Sequence, residues 1–204
     1  ETTNTIFSEE LEHINNTFKQ IYQNDRSEVE SAVAFANYYM QSLGDIQQRP
    51  NTFSMDAVNQ LTQKRSQVKV NQWNIGNEVI HYNNDLAERI GNFTNTQVAF
   101  LQKISRGYIR IATNIEEEES NSAIGTYVPN SSVVVETVER GQTYKGNAYV
   151  FNTWYHTAYI PLKINGSTQG MLFVGRPVYD KDMLGRIFVQ RKYSGKAQFM
   201  MINE

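Results

Sequence analysis

Leu11, Ile14, Phe18, Ile21, Val29, Ala32, Ala36, Tyr39 and Leu43 recur at the three-and-four spacing of one helical face. Ser8 followed by Glu9 and Glu10 supplies a capping hydroxyl and first-turn acids, and Gly44 is a natural stop, so the spacing predicts one helix from Ser8 to Leu43. Such a helix would be about 50 Å long at 1.5 Å per residue, more than a small domain can cover. A helix draws most of its stability from packing of its apolar face. The uncovered part of the stripe therefore predicts a homodimer through the N-terminal helix, or an extension toward a membrane; a helix packed wholly on its own sheet is the alternative.

Behind the helix the pattern changes. Ser54 to Gln67 reads as a shorter helix carrying Met55, Val58 and Leu61, and Val68 to Trp73 as a strand. Asn84 and Asp85 open a short helix through Ile90 to Gly91. From Gln97 onward the period is two. Gln97 to Ile104 and Tyr108 to Asn114 flank Ser105-Arg106-Gly107 and should form a hairpin. Asn130 or Ser131 opens a helix through Glu139, closed by Gly141. Three strands follow, Thr143 to Phe151, Trp154 to Lys163 and Thr168 to Gly175, with Asn165-Gly166 as a hairpin turn. The expected fold class is α+β: a long N-terminal helix, then a PAS-like five-stranded antiparallel sheet with helices on one face. The expected organisation is 1–46 for the long helix, 47–178 for the sheet domain and 179–204 for a terminal helix and strand.

Several function classes are disfavoured by what the chain lacks. Nineteen Lys and Arg against twenty-one Asp and Glu leave a formal charge of −2, no footprint for nucleic acid. There is no cysteine, and His13, His81 and His156 lack the paired spacing of a zinc site. No nucleophile elbow, phosphate loop or dinucleotide fingerprint occurs, so no enzyme, cofactor or metal is expected. The run Glu116 to Glu119 reads as a solvated loop. No stretch reaches the ~18 apolar residues of a membrane helix, and Glu1 opens the chain without a signal peptide. The natural polypeptide is expected to continue beyond both ends into flanking transmembrane helices; a mature, cleaved N-terminus is the alternative.

The chemistry that remains is concentrated in Tyr144 to Arg176. Tyr155, Thr157 and Tyr159 share one face of a strand because side chains alternate. Arg110 sits mid-strand on the face of Tyr108, where it must reach water or be paired. Arg110, Tyr144, Tyr155, Thr157 and Tyr159 are the candidate ligand-binding residues. One guanidinium among hydroxyls suits a small carboxylate or amino acid. The alternatives are plain core packing for the rings and an exposed or Glu-bridged position for the arginine.

These residues carry a resemblance. Trp73-Asn74-Ile75-Gly76, Val98 to Ile104, Tyr108-Ile109-Arg110-Ile111-Ala112-Thr113-Asn114, Gly125-Thr126-Tyr127, Gly141 to Ala148, Trp154 to Leu162 and Gly170 to Gly175 occur in this order. Together they resemble the Cache domains of bacterial chemoreceptors and sensor histidine kinases, especially the fused Cache 3/Cache 2 kind. The resemblance implies an extracytoplasmic sensor, a long helix continuing from a transmembrane span, and small organic acids or amino acids as ligands. It leaves the output open among chemotaxis, a kinase and a cyclic-nucleotide enzyme. Lys196 to Glu204 resembles the first strand of a following Cache module. Two rivals stand beside this reading: a ligand-free protein-interaction module, and a hydrolase assembled in space around His156 or Glu136.

Overall fold

The computed structural model describes residues 2–115, 123–150 and 153–178; the expected terminal helix and strand over 179–204 and the acidic run Glu116 to Glu119 lie outside them. Helix α1 spans Thr2–Leu43, six residues further toward the N-terminus than the capping signal at Ser8 suggests. It stops where expected. Gly44 has φ +105 and returns its N–H to the carbonyl of Met40. At 1.5 Å per residue its 42 residues extend about 63 Å. Among its described side chains the buried ones are Asp25, Val29, Ala32, Ala36 and Met40, which places the C-terminal half on the sheet.

The chain then forms β1 (Ile46–Asn59), β2 (Arg65–Ile75), β3 (Glu78–Val79), α2 (Asn84–Thr94), β4 (Gln97–Ile104), β5 (Gly107–Thr113), β6 (Thr126–Pro129), α3 (Val133–Glu139), β7 (Tyr144–Val150), β8 (Thr153–Ile164) and β9 (Ser167–Pro177). The sheet runs β3-β2-β1-β6-β5-β4-β9-β8-β7. The α+β class and all five expected antiparallel strands are present, as β4, β5, β7, β8 and β9.

The helix expected over Ser54 to Gln67 is instead a hairpin of β1 and β2. Met55, Val58 and Leu61 fit a helical spacing, but Met55 and Ala57 alternate inward in β1, and Leu61 stays 65% exposed in the turn. Asn59 fixes that turn, its side-chain oxygen accepting the N–H groups of Leu61 and Thr62. This hairpin joins the remaining sheet through one short parallel pairing, Val58 with Thr126 and Asn59 with Tyr127.

Helix α2 passes through Gly91, the expected stop, and ends at left-handed Asn95. A Cβ at Gly91 would meet the Asn114 side chain at 2.1 Å, so this glycine serves close packing of helix on sheet. Asn165 (φ 52) and Gly166 (φ 79) make the tight β8–β9 turn. Pro161 lies in β8 beyond the end of β7 pairing, where no ladder N–H is required.

Two apolar clusters face opposite sides of the sheet. Ala32, Ala36 and Met40 of α1 and Leu86, Ala87 and Ile90 of α2 pack on Phe100, Ile109, Ile111, Ile160, Leu172 and Val174. Val134, Val135 and Val138 of α3 pack on Leu101, Tyr108, Tyr155, Tyr159, Met171 and Phe173. Helices α1 and α2 thus share one face as expected. Helix α3 covers the other, because its valines on one side match the second apolar row that period-two strands create.

Candidate functional site

The second face, under α3, holds the candidate residues. Helix α3 is placed there by its own ends. The Ser132 hydroxyl accepts the N–H of Val134 at the start. At the other end, Glu139 accepts the Tyr108 hydroxyl at 2.7 Å and pairs with Lys103 at 2.6 Å. Burial and the Glu139 bond push the Tyr108 phenol well above its ordinary range. Burial works against the Glu139 anion, yet the bonds from Lys103 and Tyr108 hold its carboxyl below the ordinary value. The helix is therefore anchored to β4 and β5 by a charged contact.

Arg110 is completely buried in β5. Its Nη1 donates to Thr126 Oγ1 at 2.6 Å, and that hydroxyl in turn donates a hydrogen bond to the Ala123 carbonyl at 2.7 Å. Gly125 brings this segment close: its N–H donates to the Arg110 carbonyl at 2.9 Å, and its φ is +88. A Cβ there would meet the Asp56 carbonyl oxygen at 2.4 Å, so only glycine lets β6 pass between β1 and β5.

Tyr155, Thr157 and Tyr159 share one face of β8, as the alternation requires, and all three are buried. Burial raises both phenols, Tyr159 to about 12, while the nearby Arg110 charge pulls each back. That coupling joins Arg110, Tyr155 and Tyr159 electrostatically across the sheet. The rings are close neighbours: Tyr159 and Phe173 lie 5.1 Å apart, Tyr155 and Phe173 6.0 Å, and Tyr144 and Tyr159 6.1 Å. Thr157 donates its hydroxyl to the Gly146 carbonyl at 3.1 Å, leaving only acceptor capacity for anything else. Tyr144 is half-buried and donates to the Asn147 carbonyl at 3.1 Å along its own strand. Arg110, Tyr155 and Tyr159 thus lie on one face of the sheet, near enough for the Arg110 charge to act on both phenols. Tyr144 borders them through Tyr159, and the hydroxyl of Thr157 is engaged with β7.

Sequence reasoning missed Thr126, Lys103, Tyr108 and Glu139. The Gly125-Thr126-Tyr127 motif was a usable signal for the first. The others depend on α3 folding back over β4 and β5, which no local pattern encodes.

His156 and Glu136, the residues named for the hydrolase reading, lie on opposite sides of the sheet. His156 points to the α1 face, while Glu136 is exposed on α3, across the sheet, and paired with Arg140 at 2.7 Å. Among the described residues no group of three or more His, Cys, Asp or Glu side chains could hold a metal ion. A separate groove of about 550 Å³ lies at the far end of β8, lined by Asp45 to Arg49 and Lys163 to Gly166. It contains none of the five candidates. No described helix is long and apolar enough to cross a membrane.

Residues 1–189 match the family model of the Cache 3/Cache 2 fusion domain. A search of curated proteins returns no match.

Proposed function

Since the chain belongs to the Cache 3/Cache 2 fusion family, whose members are extracytoplasmic sensor domains in signalling, we propose that it binds a small anionic molecule, an organic acid or amino acid, on the α3 face. Arg110 would hold the carboxylate, with Tyr155 and Tyr159 hydroxyls beside it, Thr157 as an acceptor and Tyr144 at the rim. The observation carrying this reading is a fully buried guanidinium on β5 that shares its face of the sheet with two buried phenols of β8, beyond β4 and β9. A planar guanidinium in a low-dielectric setting favours a bidentate carboxylate over a neutral ligand. Binding would act by population shift, since only contacts that differ between two arrangements of sheet and helix can move α1.

We also propose that the chain is held at the cytoplasmic membrane by flanking transmembrane helices and passes its signal to a chemotaxis, kinase or cyclic-nucleotide output. Two copies would associate along α1 on the N-terminal side of Asp25, where Glu12, His13, Lys19 and Gln20 are exposed beyond the sheet.

Isothermal titration of the folded chain against a panel of small carboxylates and amino acids tests the ligand. A saturable heat with one of them, abolished by Arg110→Met and weakened by Tyr155→Phe, is the expected result. Absence of heat with every compound would favour the ligand-free interaction module. That second reading has its own support in the close ring contacts of Tyr155, Tyr159 and Phe173, which suit a closed core.

A further inference from the structure

The opposite face of β8 carries a second polar cluster, at the point where α1 leaves the sheet. Asp25 is the first buried residue of α1 on the described surface and is only 6% exposed. Its Oδ1 lies 3.1 Å from Arg176 Nε of β9. Arg176 also pairs with Glu28, one turn along α1. His156 of β8 is 3% exposed and directly opposite Arg176 in the β8–β9 register. Its Nδ1–H donates to Asn147 Oδ1 of β7 at 2.7 Å, and Tyr22 of α1 packs edge-on against its ring at 4.3 Å. The remaining ring nitrogen, Nε2, is buried with no hydrogen-bond partner among the described residues.

An imidazole in this setting tolerates a lone pair at Nε2 far better than a proton. As a cation it would bury an N–H without an acceptor, with Arg26 of α1 and Arg176 of β9 close by. Asp25 favours the cation, but its Oδ1 is already committed to Arg176. The charged groups around the ring are then Asp25, Arg26 and Glu28 from α1 and Arg176 from β9. Tyr22 and Asn147 complete the surroundings, and the Lys145–Glu30 pair lies at the margin between β7 and α1.

We propose that this seam is an acid-released clamp: α1 lies on the sheet from Asp25 onward while His156 is neutral, and protonation of His156 peels the helix back to its next buried contacts at Val29 and Ala32. Burial lowers the imidazole from its ordinary value of 6.5, Asp25 offsetting part of this and Arg26 adding to it. The sign follows. A histidine freed into water takes its proton near 6.5, whereas the clamped one does not, so docking is strongest above 6.5 and is lost as pH falls through the depressed value. Asp25 acts in the opposite sense at lower pH, because burial raises its carboxyl. The clamp needs no ligand, so it stands or falls separately from the α3-face site, and it would give the sensor a response to mild acid.

Hydrogen exchange of the whole chain at about pH 7.5 and about pH 5.5, corrected for intrinsic rates, reads the clamp directly. The expected result is loss of protection over residues 22–32 at the lower pH, with β4 and β5 unchanged, and abolition of that difference in His156→Gln. Equal protection of residues 22–32 at both pH values in the wild type would overturn the proposal, as would an unchanged pH response in His156→Gln. Should His156→Gln not fold, the Cε1–H resonance of His156 in the wild type decides: titration at or above 6.5 overturns it, and titration below 6.5 together with the protection loss supports it.

Discussion

Replacing His81 by glutamine is expected to remove one component of the fold's sensitivity to acid. His81 is 5% exposed, under Phe53, whose ring stacks on it at 4.7 Å. Its Nδ1 accepts the Trp73 backbone N–H at 3.3 Å, which fixes the tautomer, so Nε2–H donates to Gln102 Oε1 at 3.0 Å. Gln102 in turn donates to the Asn71 carbonyl at 3.1 Å. A second proton would have to enter at Nδ1 and break the Trp73 bond. Burial accordingly lowers the imidazole from 6.5 to about 4, with the Gln102 bond opposing. Because the folded value is the depressed one, the unfolded chain binds the extra proton first, and stability present above 6.5 is lost as pH falls toward 4. Linkage between those two values gives a loss of about 2 kcal/mol between about pH 7.5 and about pH 5. Urea unfolding at the two pH values measures it. His81→Gln should cost about 1 to 2 kcal/mol at neutral pH, through its altered hydrogen bonds, and should show a pH dependence smaller by that amount. Identical pH dependence in wild type and variant would refute the reasoning, as would a His81 resonance titrating near 6.5 in the folded protein.

Thr126→Val should destabilise the chain by about 1 to 3 kcal/mol, because Arg110 Nη1 and the Ala123 carbonyl lose the hydroxyl between them, and Thr126→Ser should restore most of it; denaturant midpoints check both. Gly166→Ala meets nothing within 4 Å and should lose about 1 kcal/mol to its left-handed backbone alone. Gly125→Ala also drives a Cβ to 2.4 Å from the Asp56 carbonyl, so it should cost clearly more, and equal thermal midpoints for the two variants would contradict this packing.

The parts of the fold that were legible in the sequence are those whose pattern has one interpretation. Gly44 after a long apolar stripe stops a helix wherever the stripe docks. Asn165-Gly166 supplies the two positive φ values that a tight hairpin turn requires, and Tyr155, Thr157 and Tyr159 keep to one face because a strand has period two. The β1–β2 hairpin was not legible. Met55, Val58 and Leu61 satisfy a helical period as well as Met55 and Ala57 satisfy a strand, and the deciding contacts, to Thr126 and Tyr127, come from about 70 residues further on. The site divides in the same way. Arg110 and the phenols could be named because each strand places its own side chains. Glu139 and the α3 wall could not, since their roles exist only after α3 has returned over β4 and β5, and Thr126 had only the Gly125-Thr126-Tyr127 motif to mark it. The hydroxyl of Thr157 was placed on the correct face, yet it donates to the β7 backbone because Gly146 lies directly across the ladder.

Tyr155, His156 and Thr157 are consecutive, and they look alternately toward α3 and α1. The sheet at this point is a diaphragm one peptide thick, with no filler layer in which a displacement could dissipate. On the proposed reading, a contact made at Tyr155 and the helix contact at His156 would be one residue apart. A substitution at His156 and one at Tyr155 would therefore disturb opposite surfaces of the same stretch of β8, the first toward α1 and the second toward α3.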